Sequence, residues 1–228
     1  MFKKYTLLVL ALIYPCLWSC GRPHESTLQA QVDKLDSLPL TLENQAAWTT
    51  ALGDSIGFLS THCTVTHIGQ GQAITAGHCI NALSRKEENL PCMGIFVRWF
   101  SLPQMSFGAP VACDRIIVAI NNNGLDYAIL QFAEAPKVAL SMADQAYPPL
   151  PGTKVTLLHL PHGVPSFSEG CEILSGPPLE HRIYHDCDTA PGSSGAALLI
   201  AGKIVGIHVG KFKGDEMAKN IASVSLSI

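Results

Sequence analysis

Charged residues are scarce in this 228-residue chain, at 14% of the total, and aromatic residues reach only 7%. So few charges argue against a long coiled coil, whose outer positions carry them. The 15 basic and 18 acidic residues give a net charge of −3 and form no basic stripe, which argues against a nucleic-acid-binding protein. Glycine and proline are spread along the chain, which argues against collagen-like repeats and wholesale disorder. The chain is therefore expected to be globular, with length for one large or two small folded units.

No apolar run is long enough to span a membrane. The longest, over residues 5–18, has 14 residues where a spanning helix needs roughly 20, and two lysines precede it. This is the pattern of a cleaved export signal. The run leads into Leu-Trp-Ser-Cys at 17–20, which resembles the lipobox of bacterial lipoproteins, although Trp18 is larger than the usual residue there. The resemblance implies a signal peptide over residues 1–19 and a lipid on Cys20; the alternative is an ordinary signal peptide.

No Cys-x-x-Cys pair occurs, which argues against a zinc ribbon or a thioredoxin-like redox motif. Beyond the signal region the chain has an even number of cysteines, which in an exported protein indicates a disulfide framework. These six, which allow several alternative pairings, are Cys63, Cys79, Cys92, Cys113, Cys171 and Cys187.

The histidines outside the motifs described below give only weak signals. His159 with His162, and His181 with His185, have spacings that a metal site could use, but outside a helix such spacings are uninformative. We therefore expect no metal site and no cofactor. His62 and His67, which flank Cys63, are expected to be solvated.

Short apolar runs separated by turns predict an all-β fold. The predicted strands cover residues 56–59, 72–75, 94–100, 115–120, 127–132, 154–160, 172–174, 196–200, 204–208 and 220–224. A looser stretch over 135–152 predicts two separate barrels. The expected organisation is a tether over 20–48 with a short helix at 27–38, an N-terminal β-barrel over 49–140, and a C-terminal β-barrel over 141–228.

Three short motifs carry candidate chemistry. Thr-Ala-Gly-His-Cys places His78 at the end of a predicted strand, and Asp126 leads directly into another strand. The third motif, Asp-Thr-Ala-Pro-Gly-Ser-Ser-Gly over 188–195, places Ser194 in a glycine-rich turn where backbone N–H groups can converge. Taken singly, each motif is common in loops and turns without a functional role.

Together and in the order His78, Asp126, Ser194, the motifs resemble the chymotrypsin-like (trypsin-fold) serine peptidases over residues 50–228. The resemblance implies two six-stranded antiparallel β-barrels with the active site in the cleft between them. His78 would take the proton of the Ser194 hydroxyl, Asp126 would orient His78, and the N–H groups of Gly192 and Ser194 would bind the oxyanion. Ser193 is expected to be dispensable, because only Ser194 occupies the nucleophile position.

The resemblance also extends to a disulfide. Cys79 follows His78 directly, and its separation of 16 residues from Cys63 matches the family's histidine-loop disulfide. The four remaining cysteines pair most simply with their sequence neighbours, as Cys92–Cys113 and Cys171–Cys187.

Departures from the trypsin pattern indicate a particular branch. In digestive trypsins an Asp before the nucleophile pairs with a newly cut N-terminus, whereas here the residue is Ser193. The short spacing from Asp126 to Ser194 implies trimmed loops. Both features resemble the bacterial glutamyl endopeptidase (V8-like) branch, in which a threonine and a late-strand histidine bind an acidic substrate side chain. Thr189 and His208 would have these roles and would select an acidic P1 residue.

Two alternatives stay open. Asp188 lies where trypsin carries the acid that selects lysine and arginine, so it favours a basic P1 residue if it faces substrate. From a different class of function, the chain could be an inactive trypsin-fold lipoprotein that binds a partner without cleaving it.

The expected partners and location follow from the signal and the resemblance. We expect protein or peptide substrates, a lipid-anchored contact with the membrane, no nucleic-acid partner and a monomer. The expected address is the bacterial cell envelope, otherwise secretion. Gly21 follows Cys20 in place of the aspartate associated with inner-membrane retention, which favours the outer membrane or the periplasmic face.

Overall fold

The computed structural model describes residues 37–39, 54–122, 124–143, 149–175, 181–212 and 219–223. The predicted signal peptide, Cys20 and most of the predicted tether with its helix lie outside these ranges. Within them, no helix is long and apolar enough to cross a membrane. Strands dominate, and the helical segments among the described residues are two short 3-10 turns, Gly77–Ile80 and Pro161–Gly163.

The strands are β1 Ser37–Pro39, β2 Ile56–Leu59, β3 Thr64–Gly69, β4 Gln72–Thr75, β5 Glu87–Pro91, β6 Phe96–Ser101, β7 Ser106–Phe107, β8 Val111–Asn121, β9 Asp126–Phe132, β10 Lys154–His159, β11 Ser166–Leu174, β12 Arg182–His185, β13 Ala197–Ile200, β14 Lys203–Phe212 and β15 Lys219–Ser223.

The first barrel is a closed ring of six antiparallel strands. The pairings run β2-β3-β4-β9-β8-β6 and return from β6 to β2, with β5 and β7 added outside the ring. Its interior is apolar, with Ile74, Leu130 and Phe132 almost wholly buried. Burying one such side chain stabilises the fold by about 1.5–3 kcal/mol. Closure removes the exposed edges that an open sheet would leave.

The second barrel closes in the same way. Its pairings run β10-β11-β12-β15-β14-β13 and return to β10. Leu157, Leu198 and Ile173 lie in its core. The predicted all-β fold of two six-stranded antiparallel barrels is thus confirmed.

Three local expectations need correction. The strand β1, which includes Leu38, lies within the predicted tether and pairs with Phe167 of β11. The strands β3, β5 and β12 were not expected, because polar residues interrupt their apolar pattern, and the two-residue strand β7 is too short to show one. His67 is buried in β3 rather than solvated, and its Nδ1 lies 2.6 Å from the Val138 carbonyl oxygen. His62 is exposed, as predicted.

Three disulfides tie neighbouring parts of each barrel. They join Cys63 to Cys79, Cys92 to Cys113 and Cys171 to Cys187, which are the pairs favoured by the sequence. The first holds the start of β3 against the turn that carries His78. Such a bond stabilises chiefly by restricting the unfolded chain.

Candidate active site

His78 lies in the short turn Gly77–Ile80 that follows β4, directly beside the start of β9. Gly77 permits this position, because a Cβ there would collide with the Ile120 carbonyl oxygen and lie 3.1 Å from Asp126 Oδ1. The turn can therefore approach the β8–β9 hairpin closely enough for His78 to meet Asp126.

Asp126 receives two hydrogen bonds from His78. The backbone N–H of His78 donates to Oδ1 at 2.9 Å, and Nδ1 of the ring lies 2.8 Å from Oδ2. Asp126 is buried, whereas the His78 side chain is 35% exposed. Because a carboxylate oxygen only accepts, Nδ1 carries the proton in the neutral ring, and Nε2 is left as a basic nitrogen.

The loop of Ser194 reaches across from the second barrel to the first. The N–H of Thr64 donates to the Ser194 carbonyl oxygen at 2.9 Å, and the Thr64 hydroxyl donates to the Gly192 carbonyl oxygen at 2.7 Å. Gly195 has φ +85°, and a Cβ there would collide with the Thr64 carbonyl oxygen and the Thr75 hydroxyl. The loop is thus held against the strand end that leads into His78.

The side chains of His78 and Ser194, both within the described ranges, share no hydrogen bond. His78 Nε2 instead lies 3.8 Å from the sulfur of Cys79. Catalytic hydrogen bonds are often long in the absence of substrate and tighten on binding, so the arrangement is compatible with a base that engages Ser194 later.

Two backbone donors flank Ser193. Among the described residues, the N–H groups of Gly192 and Ser194 have no hydrogen-bond partner, whereas the Ser193 N–H donates to the Ala190 carbonyl oxygen at 2.9 Å. Donors of this kind can bind an oxyanion if they point to one place.

A second histidine–serine contact lies inside the second barrel. Nδ1 of His159 is 2.9 Å from the Ser193 hydroxyl oxygen, and both residues are 0% exposed. Burial lowers the pKa of His159 from its ordinary value of 6.5 to about 3. Because substrate cannot reach a wholly buried hydroxyl, this pair cannot serve as nucleophile and base. No sequence pattern indicated this contact, because the two residues lie 34 positions apart in the chain.

His208 lies on β14 beside the Ser194 loop. Its carbonyl oxygen accepts the N–H of Gly195 at 2.8 Å, and its N–H donates to the Ala196 carbonyl oxygen at 2.8 Å. It is buried, and its Nδ1 lies 3.1 Å from Nε2 of the buried His185. Burial, aided by the nearby His159, lowers the pKa of His185 to about 3, so His185 is neutral. The sequence alone gave no sign of the His185–His208 contact.

Asp188 and Thr189 are partly exposed and precede the Ser194 loop. Nitrogen and sulfur atoms of His78, Cys63 and Cys79 cluster within 4.8 Å of one another. The two cysteines form a disulfide, so they offer no thiolate to a metal ion.

A profile of the trypsin-like peptidase domain matches residues 58–207, which spans both motifs of the first barrel and the Ser194 loop. The chain belongs to this family. This trypsin-like peptidase has no match among curated protein sequences.

Solved structures share the fold of this trypsin-like peptidase at low sequence identity. Kallikrein-related peptidase 10 has 16% identity and a TM-score of 0.56, with 78% of this chain and 92% of that chain covered. Neuropsin, a serine protease expressed in the limbic system of mouse brain, has 16% identity, the same coverage and a TM-score of 0.58. The inactive form of the Rv3671c protease has 19% identity and a TM-score of 0.52, with 79% and 86% covered.

The buried histidines predict acid sensitivity. His159 and His185 have pKa values near 3 in the folded chain against 6.5 unfolded, so below pH 6.5 the unfolded state binds more protons. Above pH 6.5 both histidines are neutral in the folded and unfolded chain and do not lower the free energy of unfolding. As pH falls from 6.5 toward 3, protonation of the unfolded chain lowers that free energy. We expect the free energy of unfolding to fall by up to about 1.4 kcal/mol per pH unit for each histidine.

Urea unfolding at several pH values between 7 and 4 measures this dependence. A His185→Gln variant should have a shallower pH slope than the wild-type protein, because one buried imidazole is gone. The exposed His62 provides the control, and His62→Gln should keep the wild-type slope. Parallel profiles for wild-type protein and His185→Gln would contradict the prediction.

Proposed function

We propose that this protein is a lipid-anchored serine endopeptidase with Ser194 as nucleophile, His78 as general base and Asp126 as the residue that orients His78. The observation that carries the proposal is the double hydrogen bond between His78 and the buried Asp126. This double hydrogen bond leaves Nε2 unprotonated on a partly exposed ring, and the loop that presents Ser194 packs through Gly195 against Thr75 and Ala76, which directly precede the His78 turn.

In the proposed reaction, His78 Nε2 accepts the hydroxyl proton as Ser194 Oγ bonds to the carbonyl carbon of the substrate. The carbonyl oxygen becomes an oxyanion that the N–H groups of Gly192 and Ser194 stabilise. When the C–N bond breaks, His78 gives its proton to the leaving amine and an acyl-enzyme remains. Water then repeats the attack, with His78 again as base, and releases the carboxylic acid.

We also propose a preference for an acidic P1 residue. A buried substrate carboxylate needs hydrogen bonds or a positive charge. His208 supplies an imidazole beside the Ser194 loop, and Thr189 supplies a hydroxyl. If neutral His185 donates its Nε2 proton to Nδ1 of His208, then the neutral His208 ring carries its proton on Nε2 and can donate it to the carboxylate.

The proposed location is the bacterial cell envelope, with a lipid on Cys20 that holds the peptidase domain at the membrane. Three disulfides support an exported protein, since such bonds persist in oxidising compartments.

A fluorophosphonate probe tests the peptidase proposal on the mature chain with Cys20→Ser, which keeps the protein out of the membrane. We expect one covalent adduct on Ser194, mapped by peptide mass spectrometry, together with cleavage of peptides. A folded protein that neither reacts nor cleaves would favour the partner-binding alternative instead.

Digestion of a peptide library tests the specificity. We expect cleavage mainly after glutamate, then aspartate. His208→Ala should lower kcat/KM for glutamyl substrates by about 10- to 100-fold, the effect of losing a hydrogen bond to a charged group. His62→Ala, which changes an exposed histidine, should leave that value unchanged. Cleavage mainly after lysine or arginine that Asp188→Ser removes would contradict the proposal and assign the P1 preference to Asp188.

A further inference from the structure

His159 and Ser193 are buried polar residues that the proposed reaction does not use. They are 34 residues apart in sequence, one at the end of β10 and the other in the loop before Ser194. The Ser193 hydroxyl oxygen contacts His159 Nδ1 at 2.9 Å and also accepts the N–H of Ala190 at 3.1 Å. The Ser193 side chain therefore joins His159 of the second barrel to the loop at both Ser193 and Ala190.

Ser193 is also held through its backbone. Its N–H donates to the Ala190 carbonyl oxygen, and its own carbonyl oxygen accepts the N–H of Ala196 at 3.1 Å. The proposed oxyanion donors, Gly192 and Ser194, are its two neighbours in the chain. The Ser194 N–H shares a peptide plane with the Ser193 carbonyl, and Gly192 is bonded directly to the Ser193 nitrogen. A shift of the Ser193 backbone therefore moves the Ser194 N–H and draws Gly192 with it.

We infer that His159 is a positioning residue of this peptidase. Its hydrogen bond to the Ser193 hydroxyl fixes the Ser194 loop, which carries the proposed oxyanion donors. The inference rests on the proposed function, since it assigns a role to the donors of Gly192 and Ser194. His159 and Ser193 both lie inside the folded second barrel. They would therefore hold the loop without the ion pair to a newly cut N-terminus that digestive trypsins use.

The charge state of His159 agrees with this role. Because burial lowers its pKa to about 3, the ring is neutral at any ordinary working pH. The contact with Ser193 is therefore a hydrogen bond between two neutral groups.

The expected effect falls on the transition state. Loss of one oxyanion donor typically lowers kcat by about 10²–10³-fold, and a displacement of about 1 Å can cost about 10²-fold. His159→Leu and Ser193→Ala should each lower kcat by about 10- to 100-fold and change KM by less than about threefold, because the ground-state carbonyl depends less on these donors.

The experiment measures kcat per active site, with the active fraction titrated by the fluorophosphonate probe. His159→Asn should recover much of the loss seen in His159→Leu, since an amide can occupy the position of Nδ1. The double variant of His159→Leu and Ser193→Ala should be no worse than the poorer single variant, because both remove the same bond. Ser55→Ala, at a serine that is equally buried in the first barrel, is the control and should keep wild-type kcat.

The outcomes separate the inference from the proposed function. Wild-type kcat per titrated site in both His159→Leu and Ser193→Ala would overturn the inference alone, even if thermal stability fell. A wild-type protein that neither turns over nor reacts with the probe would overturn the proposed function, and the inference with it. If His159→Leu does not fold, Ser193→Ala removes the same hydrogen bond by deleting a single oxygen and decides the question.

Discussion

Replacing Ser194 with alanine should abolish peptide hydrolysis, with kcat lowered by roughly 10⁶-fold and the fold intact. The Ser194 hydroxyl oxygen is the atom proposed to bond to the substrate. The neighbouring Ser193 hydroxyl is wholly buried and cannot take its place. The hydrogen bonds that hold the loop against Thr64 are accepted by the backbone carbonyl oxygens of Ser194 and Gly192, and neither bond uses the Ser194 side chain. We therefore expect an unchanged melting temperature.

The measurement combines turnover with fluorophosphonate labelling, and Ser193→Ala is the matched comparison. Ser193→Ala should still be labelled, at a reduced rate, whereas Ser194→Ala should not be labelled at all. The reverse result, with labelling lost only in Ser193→Ala, would contradict the assignment of Ser194 as the nucleophile.

Asp126→Asn should lower kcat by about 10⁴-fold without unfolding the protein. The carboxylate accepts from both the backbone N–H and the ring Nδ1 of His78, whereas an amide can accept with its oxygen only. If the amide oxygen keeps the backbone bond, its NH₂ group faces Nδ1 and favours the tautomer with the proton on Nε2. That tautomer cannot take the proton of Ser194.

Asp54→Asn is the control for this substitution, because Asp54 also accepts a backbone N–H, that of Leu102 at 2.6 Å, in the same barrel. It should keep kcat near the wild-type value. A kcat for Asp126→Asn within tenfold of wild type would show that Asp126 does not set the tautomer of His78.

The parts of the fold that were predictable are those with strong local patterns. The β9 strand is a nearly continuous apolar run and the short β4 strand has an apolar centre, and both lie where the sequence predicts them. The turn between β8 and β9 is also local, since the Asn122 side chain accepts the N–H groups of Gly124 and Leu125. The β5 strand was missed because it lies outside the first ring and exposes charged residues.

Burial of polar residues was less predictable. His67 interrupts an otherwise ordinary strand pattern and was expected in solvent, yet its ring packs against Trp99 and its Nδ1 contacts the Val138 carbonyl oxygen, so its side chain is enclosed. Ser193 was expected to be dispensable, but it is wholly buried and hydrogen-bonded, and we now expect its loss to be felt in kcat.

The sequence by itself determined the strand rhythm, the cysteine set and the order of the three motifs, because each depends on residues that are close together in the chain. Tertiary structure alone decided which distant side chains meet. Closing the barrels brought His78 to Asp126, His159 to Ser193 and His185 to His208, across separations of 48, 34 and 23 residues. The first pair was expected only through resemblance, and the other two were not expected at all. An isolated histidine in an apolar strand looks the same in sequence whether it faces a serine, another histidine or solvent, since its partner is set by barrel register.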